Sequence, residues 1–325
     1  MKKIFITGIT GQDGIFLVSK ILENDESTEI YGSTRNINNT LFFKKLKSIS
    51  NIPVENIRLV NIDLQDYSAV NKFLNDVKPT QIYNLSGPSS VSESIVDNGL
   101  SKSSIITIFD NLINSLMHNN LFPDFYQASS SEMFEVNSSG IFNEKSKLQA
   151  LTPYAEAKII NHCKVKDLRK DFDWNITSGL MFNHESEFRD KDYLLMQIIT
   201  AAMAISERKI KELKVGDVDL VRDWSFAGDV ADAIYKINNE SKSDSYVIGT
   251  GVGTSVKELV DVVFTYFKLN FEDFLTIDKN LTRENNQKKI VADNRKIKSE
   301  LGWLPSLDFE QLVHRCIQRR FNIIL

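Results

Sequence analysis

Short apolar and β-branched runs alternate with longer amphipathic ones through roughly the first 180 residues. Strands are predicted at 4–7, 29–33, 57–61, 81–85 and 124–128, and helices at 15–23, 69–77 and 105–119. Strand–helix alternation of this kind builds βαβ units, so the fold class is α/β, a Rossmann-type doubly wound parallel sheet. Beyond about residue 180 the alternation weakens and polar loops appear at 183–192 and 278–289. The expected organisation is a cofactor-binding domain over 1–180 and a smaller α/β substrate lobe over 181–325, with residues near 222–250 returning to the first domain.

Composition narrows the function classes. Of 325 residues, 42% are hydrophobic and 25% charged, the balance of a folded chain with a sizeable core. A formal charge of -4, with Lys and Arg scattered, offers no footprint for nucleic acid. Gly8, Gln12, Asp13 and Gly14 interrupt the first apolar run before a signal peptide could form, and no run reaches the roughly 20 apolar residues of a membrane span. A cytoplasmic protein is expected, and Cys163 and Cys316 are too few and too distant for a disulfide framework or a zinc site.

Three places carry chemistry. Gly8, Gly11 and Gly14 form a GxxGxxG pattern between the first strand and the first helix. Glycines let the backbone approach a pyrophosphate whose charge the helix N-terminus receives. Such a triplet also suits a tight turn with no ligand, but its position favours a dinucleotide. The second strand ends Ser33-Thr34-Arg35-Asn36, without the acid that holds an NAD ribose and with a guanidinium suited to a 2′-phosphate, so NADP is favoured over NAD. Asp63 and Leu64, after the third strand, are placed to meet the adenine.

The second place is Tyr154 and Lys158, four apart on a predicted helix and so on one face, where the cation would lower the phenol's pKa and make it a usable base. The third is Ser130 and Glu132 at the end of the strand 124–128, which in an extended segment point to the same side. A serine-rich turn with a capping role is the alternative for that pair.

The motifs TGITGQDG (7–14), IYNLSGPSSVSES (82–94), YQASSSEMF (126–134), TPYAEAK (152–158), GLMFNHES (179–186), RDW (222–224) and LGWLP (301–305) run through nearly the whole chain. Together they resemble the extended short-chain dehydrogenase/reductase superfamily, and within it the GDP-mannose 4,6-dehydratases. The resemblance implies that Ser130, Glu132, Tyr154 and Lys158 are catalytic, Glu132 serving the elimination. It implies NADP contacts from Gly8, Thr10, Gly11, Gln12, Asp13, Gly14, Arg35, Asp63, Leu64, Leu85, Tyr154, Lys158, Asn183, His184 and Arg189. Ser89, Ser90, Glu132, Asn183, Glu185, Arg222 and Arg283 would face a nucleotide sugar, GDP-mannose or similar.

Departures from the family pattern accompany these matches. Residues 187–192 replace a proline- and arginine-rich stretch that in relatives reaches a neighbouring subunit's cofactor site. Gly87-Pro88 replaces an Ala-Gln pair, Glu135 stands where glycine is usual, and Asn286 stands where an acid is typical. They leave open a relative with another sugar, such as a GDP-heptose, a 4-reductase or epimerase, and a non-catalytic NADP-binding protein; Glu132 argues against the reductase and epimerase. The resemblance also implies a homodimer or homotetramer paired through helices near 105–119 and 155–169. Light scattering checks this: a multiple of the monomer mass is expected, and a strict monomer at micromolar concentration refutes it.

Overall fold

The computed structural model describes residues 2–87, 99–240, 242–281 and 287–324, with side chains described as far as 320. The first half runs β1 (Lys3–Thr7), α1 (Gln12–Asn24), β2 (Glu29–Ser33), α2 (Thr40–Ile49), β3 (Ile57–Val60) and α3 (Tyr67–Val77). It continues through β4 (Gln81–Asn84), α4 (Leu100–His118), β5 (Asp124–Ser130), β6 (Ile141–Phe142), α5 (Pro153–Asp171) and β7 (Ile176–Met181). Then come β8 (Asn183–Glu185), α6 (Leu194–Ser206), β9 (Leu213–Val215), β10 (Val221–Arg222), β11 (Trp224–Phe226), α7 (Ala227–Glu240) and β12 (Ser245–Ile248). The chain ends with β13 (Thr254–Ser255), α8 (Val256–Tyr266), β14 (Leu275–Ile277), β15 (Lys289–Ala292), α9 (Arg295–Leu301) and α10 (Phe309–Ile324).

Among the described residues, seven strands form a parallel sheet in the order β12-β7-β5-β4-β1-β2-β3. Parallel strands covered on both faces read as continuous apolar runs, and Ile4, Phe5 and Ile6 of β1 are fully buried. Helices α1, α2 and α7 cover one face and α3, α4 and α5 the other, each face with its own core. Local chemistry sets the helix starts. Asp66 accepts from the amides of Ser68 and Ala69 to cap α3, and Ser255 forms a capping box with Glu258 on α8.

A second lobe, built on the sheet β13-β10-β15-β6, packs Phe142, Ile290 and Ala292 against Leu180 of β7, Val247 of β12 and Phe182. The chain visits it first at β6 and again after β7, then returns through α7 to add β12 beside β7, so residues 227–248 belong to the first layer. Helix α2 went unread in the sequence, α4 begins five residues before the expected 105, and β8 lies within a stretch expected to be loop. Among the described residues no helix is long and apolar enough to cross a membrane.

Asp223 stitches the lobe to the sheet. Its carboxylate, 1% exposed between β10 and β11, accepts from the Thr250 amide (2.8 Å) and hydroxyl (2.7 Å), the Gly251 amide (2.8 Å) and the Ala292 amide (3.2 Å). Removing it strands several buried N–H groups, each costing about 1–3 kcal/mol. Asp223→Ala should therefore lose about 3 kcal/mol in urea denaturation; a change below about 1 kcal/mol contradicts this role.

Candidate active site

The glycine turn forms a cradle. Gly8 closes β1 with a φ of +69°, and a Cβ there would come 3.1 Å from the Leu85 carbonyl oxygen. A Cβ on Gly14 would meet the Ile9 carbonyl at 2.4 Å, so the first turn of α1 lies directly against the strand exit. The Gly11 amide donates to Gly8 (3.0 Å), and among the described residues no side chain caps α1. Its first-turn amides and positive dipole end therefore suit an anion, and Thr10 sits half-buried within the turn. Ser33 at the end of β2 accepts from the Gly8 amide at 3.3 Å, and Arg35 follows on the exposed rim. Asp63 is exposed, accepting from the Gln65 amide, while Leu64 is buried and its carbonyl accepts from Asn111.

Beneath this turn a polar ladder crosses the strand ends. The Thr7 hydroxyl donates to Asn84 (2.7 Å), Asn84 to Gln127 (2.8 Å), and Gln127 to the Ala128 carbonyl (2.9 Å). Sequence periodicity passed over these residues; a polar side chain near the end of each of three successive core strands was the signal available.

Ser130 ends β5 and caps a 3-10 turn over Ser131–Met133, its hydroxyl accepting from the Glu132 amide at 3.2 Å. The segment is thus a capped turn and not the extended stretch expected, and the turn, not strand alternation, brings the half-buried Glu132 into the group. Thr152 caps α5 and Pro153 occupies its first turn, which puts Tyr154 at the mouth of the helix and Lys158 one turn on. Lys158 Nζ donates to the Ala128 carbonyl at 3.0 Å and lies 5.6 Å from the centroid of the Tyr154 ring.

Burial dominates the protonation of both groups. It pushes Tyr154 up to about 12, against the Ser130 hydrogen bond, with the Glu132 charge adding to the rise. It pushes Lys158 down to about 8, against the distant Asp13 charge. The expected lowering of the phenol by Lys158 is overturned: desolvation outweighs a cation that is itself turned toward a carbonyl. Ser130, Glu132, Tyr154 and Lys158 nonetheless converge at the carboxyl end of β5.

The segment after β7 closes the cradle. Gln12 donates to the His184 carbonyl (3.0 Å) and accepts from the Ser186 hydroxyl (2.8 Å). His184 meets the Phe182 carbonyl through Nδ1 (2.7 Å) and Asp13 through Nε2 (3.1 Å). Both partners are acceptors, so the ring donates twice as imidazolium. Burial lowers its pKa, but the Asp13 charge and hydrogen bond outweigh that and raise it. Asn183 opens β8, and Glu185, 4% exposed, stands 3.3 Å from Arg189 Nε. Burial raises the Glu185 carboxyl above its usual range, with Arg189 opposing. The Arg189 guanidinium lies 3.6 Å from the Tyr193 ring centroid, and Phe188 packs on Phe16. Within residues 187–192, read in the sequence as a departure from the family pattern, Phe188 joins the chain's own core.

Arg222 projects from β10 and donates to the carbonyls of Val221 (2.9 Å) and Gln287 (3.0 Å). Ser89, Ser90, Arg283 and Asn286 lie outside the described residues.

The family model described as GDP-mannose 4,6 dehydratase matches residues 5–316. The chain is 32% identical to GDP-mannose 4,6 dehydratase 1 of Arabidopsis thaliana, over 99% of this chain and 90% of the relative. It is 30% identical to GDP-mannose 4,6 dehydratase 2 of that plant, over 99% and 87%. In fold it is similar to dTDP-glucose 4,6-dehydratase of Bacillus anthracis in complex with NAD, with a TM-score of 0.82 at 20% identity, covering 99% of this chain and 97% of that one. With the family model spanning nearly its whole length, the chain belongs to the GDP-mannose 4,6-dehydratase family.

Proposed function

We propose that the chain converts GDP-mannose into GDP-4-keto-6-deoxy-mannose by internal redox elimination of water, with NADP in the cradle at α1. The observation that carries this is Glu132, a carboxylate whose charge is felt by the Tyr154 phenol beside Ser130 and Lys158. Epimerisation or reduction at C4 needs a base but no second carboxylate; elimination across C5 and C6 does. The cradle fits a nicotinamide dinucleotide through the missing Cβ atoms of Gly8 and Gly14 and the uncapped amides of α1. Arg35, with no acid beside it at the end of β2, favours the 2′-phosphate.

A dinucleotide held by Gly8, Gly11, Gly14 and the amides of α1 would supply the hydride chemistry, out of C4 and back to C6. Tyr154 first gives up its own proton, and the phenolate so formed, favoured by the Lys158 charge and aided by Ser130, accepts the 4-hydroxyl proton. The resulting 4-ketone acidifies the C5 proton. Glu132 removes it, the C6–O bond breaks, and the hydroxyl leaves as water with that proton; C5 regains a proton when C6 regains hydride, which balances the 4-hydroxyl proton taken by Tyr154. Arg222 and Arg283 are assigned to the sugar diphosphate, and Ser89, Ser90, Asn183 and Glu185 to the sugar side.

Purified protein given GDP-mannose and NADP⁺ should yield a product lighter by one water in mass spectrometry, with no net absorbance of reduced cofactor. Glu132→Gln should cut that yield by about a hundredfold or more, and NAD⁺ should turn over more slowly than NADP⁺. Unchanged yield in the variant removes Glu132 from the elimination, and equal turnover with both dinucleotides removes the assignment of Arg35.

Stability offers an independent check on Lys158. Its folded value of about 8 lies below the ordinary 10.5, so the buried charge destabilises the fold fully below pH 8. That cost fades as pH rises from 8 to 10.5. Lys158→Met should therefore be inactive yet about 1–3 kcal/mol more stable at pH 7, the gain shrinking toward pH 10. A less stable variant, or a gain independent of pH, contradicts the desolvated ammonium.

A further inference from the structure

Glu187 is a fully buried carboxylate in a loop, and nothing in the chemistry above uses it. Arg315 of α10 grips it in a two-point fork, Nη2 to Oε1 at 2.9 Å and Nε to Oε2 at 3.2 Å, and Arg319 Nη1 stands 3.5 Å from Oε1. Arg320 adds backbone contacts, donating to the carbonyls of Glu187 (3.3 Å) and Arg189 (2.5 Å). The Arg315 guanidinium also rests 4.3 Å from the Phe226 ring centroid, and Phe226 on β11 is the register partner of Glu185 on β8. A buried ion pair is costly to desolvate, and an apolar side chain could anchor a loop at less expense. What a forked pair adds is direction: it fixes where the backbone sits as well as that it is packed.

The anchored backbone belongs to the candidate site. Within six residues, His184 pairs with Asp13, Ser186 with Gln12, and Arg189 with Glu185 and the Tyr193 ring. Asp13 and Gln12 form the first turn of α1, and the Arg189 charge is felt at both Asp13 and Tyr154. Helix α10 thus holds residues 187 and 189 from outside while α1 holds 184 and 186 from inside.

We propose that Glu187 and Arg315 are positioning residues that set the place of residues 184–189, and so aim Arg189 at the dinucleotide crevice. This rests on a dinucleotide occupying that crevice. The effect runs through Arg189, which distinguishes positioning from bulk stabilisation. The test is NADPH fluorescence titration of the wild type, Glu187→Gln, Arg315→Gln, Arg189→Lys and the Glu187→Gln/Arg189→Lys double variant, with folding checked by circular dichroism and GDP affinity by calorimetry. Each single variant should raise the Kd for NADPH about tenfold, since a displaced group of about 1 Å costs that order or more. GDP affinity should hold, and the double variant should bind no worse than the weaker single. Arg315→Gln keeps the test open should Glu187→Gln fail to fold. Unchanged NADPH affinity in a folded variant, or additive losses near a hundredfold, overturns the proposal alone. A wild type that binds GDP but not NADPH overturns it together with the dinucleotide assignment.

Discussion

Strands β1 and β4 are neighbours whose following helices lie on opposite faces, α1 on one and α4 on the other, the switch point at which an α/β sheet opens a crevice. That opening sets the demands met elsewhere. Main-chain groups at the exits need partners, and the Thr7–Asn84–Gln127 ladder supplies side-chain ones below the rim. The helix leaving β1 must start against the strand, which the absent Cβ of Gly14 permits. A second lobe, with strands from before and after β7, packs near the ends of β7 and β12, and Asp223 secures it with four accepted hydrogen bonds.

Enclosing the gap has an electrostatic consequence. Water-poor surroundings disfavour both phenolate and ammonium, so Tyr154 moves up and Lys158 down. At neutral pH the phenol keeps its proton and the amine its charge, with the amine near the point of losing it. The protein thereby stores an unfavourable buried cation whose field acts where a phenolate would form. A charge held by the Ala128 carbonyl, with no ion pair among the described residues, remains available to a new negative charge. Asp13 and His184 show the opposite arrangement, in which each ion is paired and both groups keep their charges.

The sheet was legible where strands carry short apolar stretches, as at Ile4–Ile6 of β1, Ile30 and Tyr31 of β2, and Phe125 and Tyr126 of β5. Helix α2 was not, because only Phe42 and Leu46 of its ten residues are buried, too few for a periodic signal after an Asn-rich loop. The strands of the second lobe, at two to four residues, are shorter than any alternation that could reveal them. Spacing paired Tyr154 with Lys158, since a helix is a local object, while Ser130 and Glu132 meet through a capped turn and not through the strand alternation expected. It misjudged what their meeting does, because desolvation depends on everything packed around them: the turn at 131–133 and the rise of the phenol are both tertiary.

Glu187 illustrates the same division from the other side. A charged run at 187–192 looks in sequence like a solvated loop, yet Phe188 turns inward to Phe16 and carries its neighbour with it. Once Phe188 is buried, the adjacent carboxylate cannot reach water, and an unpaired buried charge would cost several kcal/mol. Arg315 and Arg319 from the last helix offset that cost, which ties the end of the chain to its first glycine turn through residues 184–189. The loop is bound on both sides by its own chain, so the geometry of the crevice depends on contacts more than 100 residues apart.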